Sequence, residues 1–174
     1  APWNILAVTF TNKAAGEMRE RVEKLLGGVE TPQIATFHAT CVRILRREIG
    51  RLGFGSNFAI YDDKESERLL KEVIIELNID EKKYPAKAFA AAIDDCKNAG
   101  RSSHDLASGD QMAERLCKVY TAYQERLKKC NALDFGDLLL YTVRIFEEFP
   151  EVLAYYREKW QWLLVDEYQD TNPI

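Results

Sequence analysis

The sequence predicts an α/β fold: a small, partial parallel sheet with helices, interrupted by an all-α insertion. Three observations predict it. Two short β-rich runs, ILAVTF (residues 5–10) and QIATF (residues 33–37), flank a helix-period segment. Strand, helix and strand within about thirty residues form a βαβ unit, with parallel pairing and a right-handed crossover. The middle of the chain then reads as almost wholly helical, and a continuous apolar run, WLLV (residues 162–165), returns near the end.

Taken in order, residues 5–10 are short and mostly apolar, as a buried strand requires. Asn12 is suited to cap the following helix, where Ala15, Met18, Val22 and Leu25 share a face, and Gly27-Gly28 ends it. Residues 33–37 give the second strand. Residues 38–52 then read as a two-sided helix: Cys41, Leu45, Ile49 and Leu52 form the apolar stripe, and Arg43, Arg46, Arg47 and Arg51 occupy the opposite arc. An arginine face of this kind fits a solvated surface at least as well as a binding one. Residues 53–57 (GFGSN) break the chain and mark a boundary.

After the extended residues 58–61, Asp62 with Glu65 resembles a capping box opening a helix with Leu69, Leu70, Val73, Ile74 and Leu77 on one side. Pro85 starts another helix, ending near Gly100. A loop from Arg101 to Gly109 precedes a long helix carrying Met112, Leu116, Val119, Tyr123 and Leu127. Asp134 caps the next helix (Phe135, Leu138, Leu139, Ile145, Phe149), with Asp137 as first-turn charge, and both acids read as structural. Pro150 opens a short helix before the final strand. That strand, being continuously apolar, is expected to be covered on both faces.

The formal net charge of −4 does not announce a nucleic-acid binder, but it divides into +3 over residues 1–54 and −7 over the remainder. A basic first third is compatible with a local phosphate-contacting face. Cys41, Cys96, Cys117 and Cys130 form no CxxC pair, and His38 and His104 lie far apart, which argues against a zinc site and suits a reducing, cytoplasmic setting. No apolar run reaches the ~18 residues of a membrane helix. The chain begins without Met close to its first strand and is expected to be a piece of a larger protein.

The sharpest chemical signal is DEYQD, residues 166–170, at the end of the last strand. Ligands of open parallel sheets bind beyond the carboxyl ends of strands. Asp166 and Glu167 would point to opposite faces of a regular strand, so they converge on one ligand only if the backbone curls after Asp166. The pair fits a metal-binding carboxylate followed by a water-activating one in phosphoryl transfer. It also fits a solvated strand terminus with a turn, and the polar Gln169 and Asp170 directly afterwards favour the first.

DEYQDTN (residues 166–172) resembles the Walker B motif of superfamily 1 DNA helicases similar to UvrD, Rep and PcrA. VTFTNKAAGEMRERV (residues 8–22) and TFHA (residues 36–39) resemble the two single-strand-contacting motifs of that family. LDFGDLL (residues 133–139) resembles the segment before Walker B. The four matches stand in family order and span nearly the whole chain.

The resemblance implies a partial RecA-like domain, residues 1–54 and 131–174, with a helical insertion over 55–130. It implies that Asp166 holds the Mg²⁺ of bound ATP and that Glu167 orients and deprotonates the attacking water. Gln169 and Asp170 would link nucleotide state to neighbouring motifs. Phe10, Thr11, Asn12 and Lys13, with Thr36, Phe37 and His38, would contact single-stranded DNA. An aromatic at a strand end offers a stacking face to any base, and amides at a helix start hold a phosphate. The bland readings are a core Phe10 and a His38 that merely caps its helix.

No GxxxxGK[ST] occurs, so no phosphate cradle is present in the sequence, and the second RecA-like domain is expected elsewhere in the larger protein. The family implies an ATP- and Mg²⁺-dependent motor moving 3′ to 5′ on single-stranded DNA and opening junctions with duplex in repair or replication restart. By itself this piece is expected to bind Mg·ATP poorly and to lack DNA-stimulated ATPase. The alternatives are the helicase part of a RecB- or AddA-like helicase-nuclease and a helicase-like binding module without ATPase activity. A stand-alone metal phosphohydrolase is disfavoured, because no histidine or distant carboxylate cluster completes its site.

Overall fold

A computed structural model of the chain describes residues 1–106 and 111–171. Strand β1 (Ile5–Thr9) leads through α1 (Asn12–Leu26) to β2 (Gln33–Thr36) and directly into α2 (Phe37–Glu48). A short strand β3 (Ala59–Ile60) precedes α3 (Asp63–Glu76), α4 (Ala86–Asn98) and α5 (Gln111–Lys129). The chain returns through β4 (Ala132–Leu133), α6 (Phe135–Glu148) and α7 (Pro150–Lys159) to β5 (Trp162–Val165). The main sheet is parallel with order β2-β1-β5, and β3 pairs in parallel with β4.

Local chemistry sets the helix ends. Thr11, not Asn12, caps α1: its hydroxyl accepts from the Ala14 amide at 3.1 Å, and Asn12 is the first helical residue. Gly27 ends that helix at φ 60°, in the left-handed region that glycine enters without steric penalty. Asp62 with Glu65 and Asp134 with Asp137 form complete capping boxes, and Pro150 opens α7 with φ already set for a helix.

Several sequence expectations shift. The second strand stops at Thr36 because Phe37 already belongs to α2, and the last turn of the arginine helix is a tight 3-10 turn, Ile49–Leu52. Leu25 points to solvent, and Met112 and Leu77 are exposed as well. The loop before α5 contains a 3-10 turn, Ser103–Leu106, and Gly109 lies outside the described residues. The arginine face is not merely solvated. Arg46 donates to the Phe58 and Ser56 carbonyls and stacks on the Phe58 ring at 3.8 Å. Arg47 lies over Tyr155, and Arg51 pairs with Glu151 at 2.6 Å.

Among the described residues, three apolar clusters hold the fold. Ala7, Ala15 and Ile34 join α1 to the sheet. A second cluster joins α2, Phe54, Phe58, α6 and α7. The third unites α3, α4 and α5 around Val73, Phe89, Val119, Tyr120 and Tyr123.

In this piece of chain β5 is not covered on both faces. Trp162, Leu163 and Leu164 are 67%, 60% and 60% exposed. Among the described residues β5 is an edge strand bonded to β1 alone.

Candidate nucleotide and nucleic-acid site

Parallel register brings the motifs to one edge. Thr9 of β1 pairs with Thr36 of β2, and Val8 pairs with Val165 of β5. Phe10, Phe37 and Asp166 therefore leave adjacent strands at the same carboxyl end of the sheet, where ligands of parallel sheets bind. The Asp166 amide still donates to the Val8 carbonyl at 3.0 Å, so its backbone position is fixed by the sheet.

The condition for convergence of the carboxylates is met. Glu167 adopts φ 51° and ψ 45°, a left-handed conformation, and a 3-10 turn, Tyr168–Asp170, follows. A non-glycine residue in that region stores strain of order 1 kcal/mol, a pattern concentrated at functional sites. Asp166 Oδ1 accepts from the Glu167 amide at 3.1 Å, and the Gln169 side-chain amide donates to Glu167 Oε2. Asp166 and Glu167 are both exposed. Asp170 closes the turn; its side chain, like Asn172, lies outside the described residues.

Exposed carboxylate oxygens are hard donors that suit Mg²⁺, a cation that keeps several waters and takes only one or two protein carboxylates beside substrate phosphates. Among the described residues no group of three or more His, Cys, Asp or Glu gathers as a self-sufficient metal site. The set fits a cation shared with a phosphate ligand.

On the neighbouring strands, Phe10 is 36% exposed and its ring lies 5.2 Å from that of Phe37. Phe10 is thus not a core residue. Asn12 and Lys13 are exposed at the amino end of α1, and Lys13 makes only a loose 4.0 Å approach to Glu17. The Thr11 and Thr36 hydroxyls are engaged as helix caps, and Thr36 is buried. Each hydroxyl accepts in its cap and keeps its O–H to donate; the exposed Thr11 can offer that donor to a ligand, whereas Thr36 is buried. His38 does not cap α2, since Thr36 does; its ring stands edge-on to Phe135 at 5.6 Å. Burial lowers the His38 pKa, partly opposed by the Asp94 charge. The ring is therefore neutral at neutral pH and suited to stacking rather than to attracting phosphate.

One buried group escaped sequence reasoning. Lys97 on α4 lies between Asp134 and Asp137, at 2.6 and 2.7 Å. Its signal was helical spacing: Phe89, Ile93 and Lys97 follow at intervals of four on one buried stripe. The adjacent DDCKN composition looked like an ordinary charged helix end.

A three-stranded parallel sheet with a carboxylate pair at one strand end and aromatic, helix-capped ends on the next two, broken by a helical insertion, defines a partial RecA-like α/β domain. The chain belongs to the UvrD/REP helicase N-terminal domain family, which matches residues 1–174. It is similar to the ATP-dependent DNA helicase PcrA of Staphylococcus aureus (strain Mu50), 46% identical over 99% of this chain and 24% of that protein. The ATP-dependent DNA helicase PcrA of Bacillus subtilis (strain 168) is 45% identical over the same shares. The chain thus spans about a quarter of the length of these relatives. No helix among the described residues is long and apolar enough to cross a membrane.

Proposed function

We propose that this chain is the sheet-and-insertion part of an ATP-dependent DNA helicase that moves 3′ to 5′ on single-stranded DNA and opens duplex at junctions, in the cytoplasm. The domain division is 1–54 and 131–174 for the RecA-like part and 55–130 for the insertion. The observation that carries the reading is the common edge: Phe10 and Phe37, immediately after β1 and β2, stand beside the Asp166–Glu167 turn that follows β5. Nucleotide chemistry and strand binding thus share one rigid sheet.

Asp166 would hold Mg²⁺ together with the phosphates of ATP. When bound, Mg·ATP supplies the phosphoryl group that water attacks. Glu167 takes the proton from that water, and the Gln169 amide, donating to Glu167 Oε2, holds the base in orientation. Asp170 is assigned to the same coupling by family resemblance. Phe10 and Phe37 present stacking faces for bases, while Asn12, Lys13 and the amides of the first turn of α1 meet phosphate. Thr11 and Thr36 set the helix starts that aim these groups, and neutral His38 adds an aromatic face. The phosphate cradle and second RecA-like domain belong to the longer protein, so this piece by itself is inactive.

Glu167→Gln in the longer protein is the test. It keeps the shape of the turn and removes the base, so ATP still binds while hydrolysis falls about 10²-fold or more. An unchanged turnover number would mean that Glu167 is not the catalytic carboxylate.

A further inference from the structure

The first turn of α6 has two faces. On its buried face, Asp134 and Asp137 grip the Lys97 ammonium, whose side chain is only 1% exposed. Tyr123 donates to Asp134 at 2.9 Å and Gln124 to Asp137 at 3.0 Å, so both α4 and α5 of the insertion meet α6 through this cluster. Gly136 makes the approach possible, because a Cβ there would lie 2.8 Å from Lys97 Cδ. On the outer face Phe135, set between the two acids, is 47% exposed and rests edge-on against His38 at 5.6 Å.

A buried ion pair contributes little stability that a packed apolar set could not supply; its best attested use is to fix registry. Here the capping box ties both faces into one turn, so displacing the buried acids displaces Phe135.

We propose that Lys97 is a positioning residue for DNA binding: its ammonium fixes the first turn of α6 against the helical insertion and, through Phe135, sets the placement of His38 at the strand edge. This rests on the reading of that edge as the DNA site.

The groups facing the cluster are Lys97 and Asp94 of α4, Tyr120 and Tyr123 of α5, Asp134, Asp137 and Tyr141 of α6, and His38 of α2. Burial and the Asp134 charge push Asp137 up to about 6, while Lys97 and its hydrogen bonds hold Asp134 below the usual carboxylate range. Without the ammonium, the two acids repel and Asp137 binds a proton more readily still. Burial keeps the three tyrosines neutral throughout, and lowers the His38 pKa against the opposing Asp94 charge.

The experiment titrates the longer protein with a labelled oligothymidine at pH 6 and pH 8, by fluorescence anisotropy. Lys97→Met is expected to weaken binding roughly 3- to 30-fold at pH 8, the range over which residues without ligand contact modulate coupling. Much of the loss should return at pH 6, and also on adding Asp137→Asn, because either change removes the surplus buried charge. Phe135→Ala should weaken binding comparably, with Lys97→Met adding little on top of it. Phe10→Ala serves as the edge control. Binding sensitive to Phe10→Ala but unchanged in Lys97→Met overturns the Lys97 role alone. Binding insensitive to Phe10→Ala as well overturns the DNA-edge reading and this proposal with it. Phe135 is exposed, so its variant remains folded; unchanged affinity there overturns the proposal even if Lys97→Met fails to fold.

Discussion

Replacing Phe10 by alanine separates a stacking residue from a structural one. A fully buried phenylalanine loses about 3–5 kcal/mol of stability on truncation. Phe10 is 36% exposed, and its aromatic partner is Phe37, 5.2 Å away and tilted by 48°. Losing such a pair costs roughly 0.5–1.5 kcal/mol beyond the area it buries. The melting temperature should therefore fall by only a few degrees. A base stacked on the ring is worth about 1–3 kcal/mol, or roughly 5- to 150-fold in affinity. The assay is anisotropy titration of the longer protein with labelled oligothymidine, oligoadenosine and oligocytidine, alongside a thermal melt. Affinity should fall to a similar extent for all three, since every base has a π-face. The dependence on salt should hardly change, because no phosphate contact is removed. A melting temperature lowered by the full core penalty, with undiminished affinity in the folded protein, would refute the stacking argument.

Three further outcomes are expected. Gly136→Ala places a Cβ 2.8 Å from Lys97 Cδ and 3.1 Å from its Cβ. Such overpacking costs about 1–3 kcal/mol, read by denaturant melts, and an unchanged midpoint would mean that α4 and α6 separate easily. Asp137 should titrate near pH 6, by carboxyl NMR. Because its folded-state pKa is raised, this group holds a proton in the folded chain that it has lost when unfolded, so its contribution to stability declines as pH rises from about 4 to 6. Asp134, lowered, contributes in the opposite sense, stability that is lost only at more acid pH. Asp137→Asn should flatten the melting temperature across pH 4 to 6; a profile identical to wild type contradicts the assignment. Finally, residues 55–130 expressed alone should melt cooperatively by circular dichroism. A non-cooperative melt would show that the insertion has no core of its own.

Elements set by neighbouring residues were legible from the chain. The capping boxes at Asp62–Glu65 and Asp134–Asp137, the glycine stop at Gly27 and the start at Pro150 depend on residues within one turn. The βαβ crossover followed from the alternation of apolar periods, and the carboxylates of the DEYQD run from the abrupt polar end of an apolar strand. Tertiary placement decided the rest. That Thr11 rather than Asn12 caps α1 is a shift of one residue that cap preference alone does not predict, since both types cap and Asn ranks slightly higher. The exposure of Trp162, Leu163 and Leu164 could not be read from an apolar run, because burial depends on which elements lie over the strand. The meeting of Phe10 with Phe37 depends on parallel register, and that of His38 with Phe135 joins residues nearly a hundred positions apart. Lys97 was the most deceptive. Its sequence neighbours are charged, and only the approach of α6, permitted at Gly136, turns a helix-end lysine into a buried cation held by two acids. Local hydrogen bonding and periodicity are written in consecutive residues, whereas the electrostatics of this cluster arise from segments that folding alone brings within 3 Å of one another.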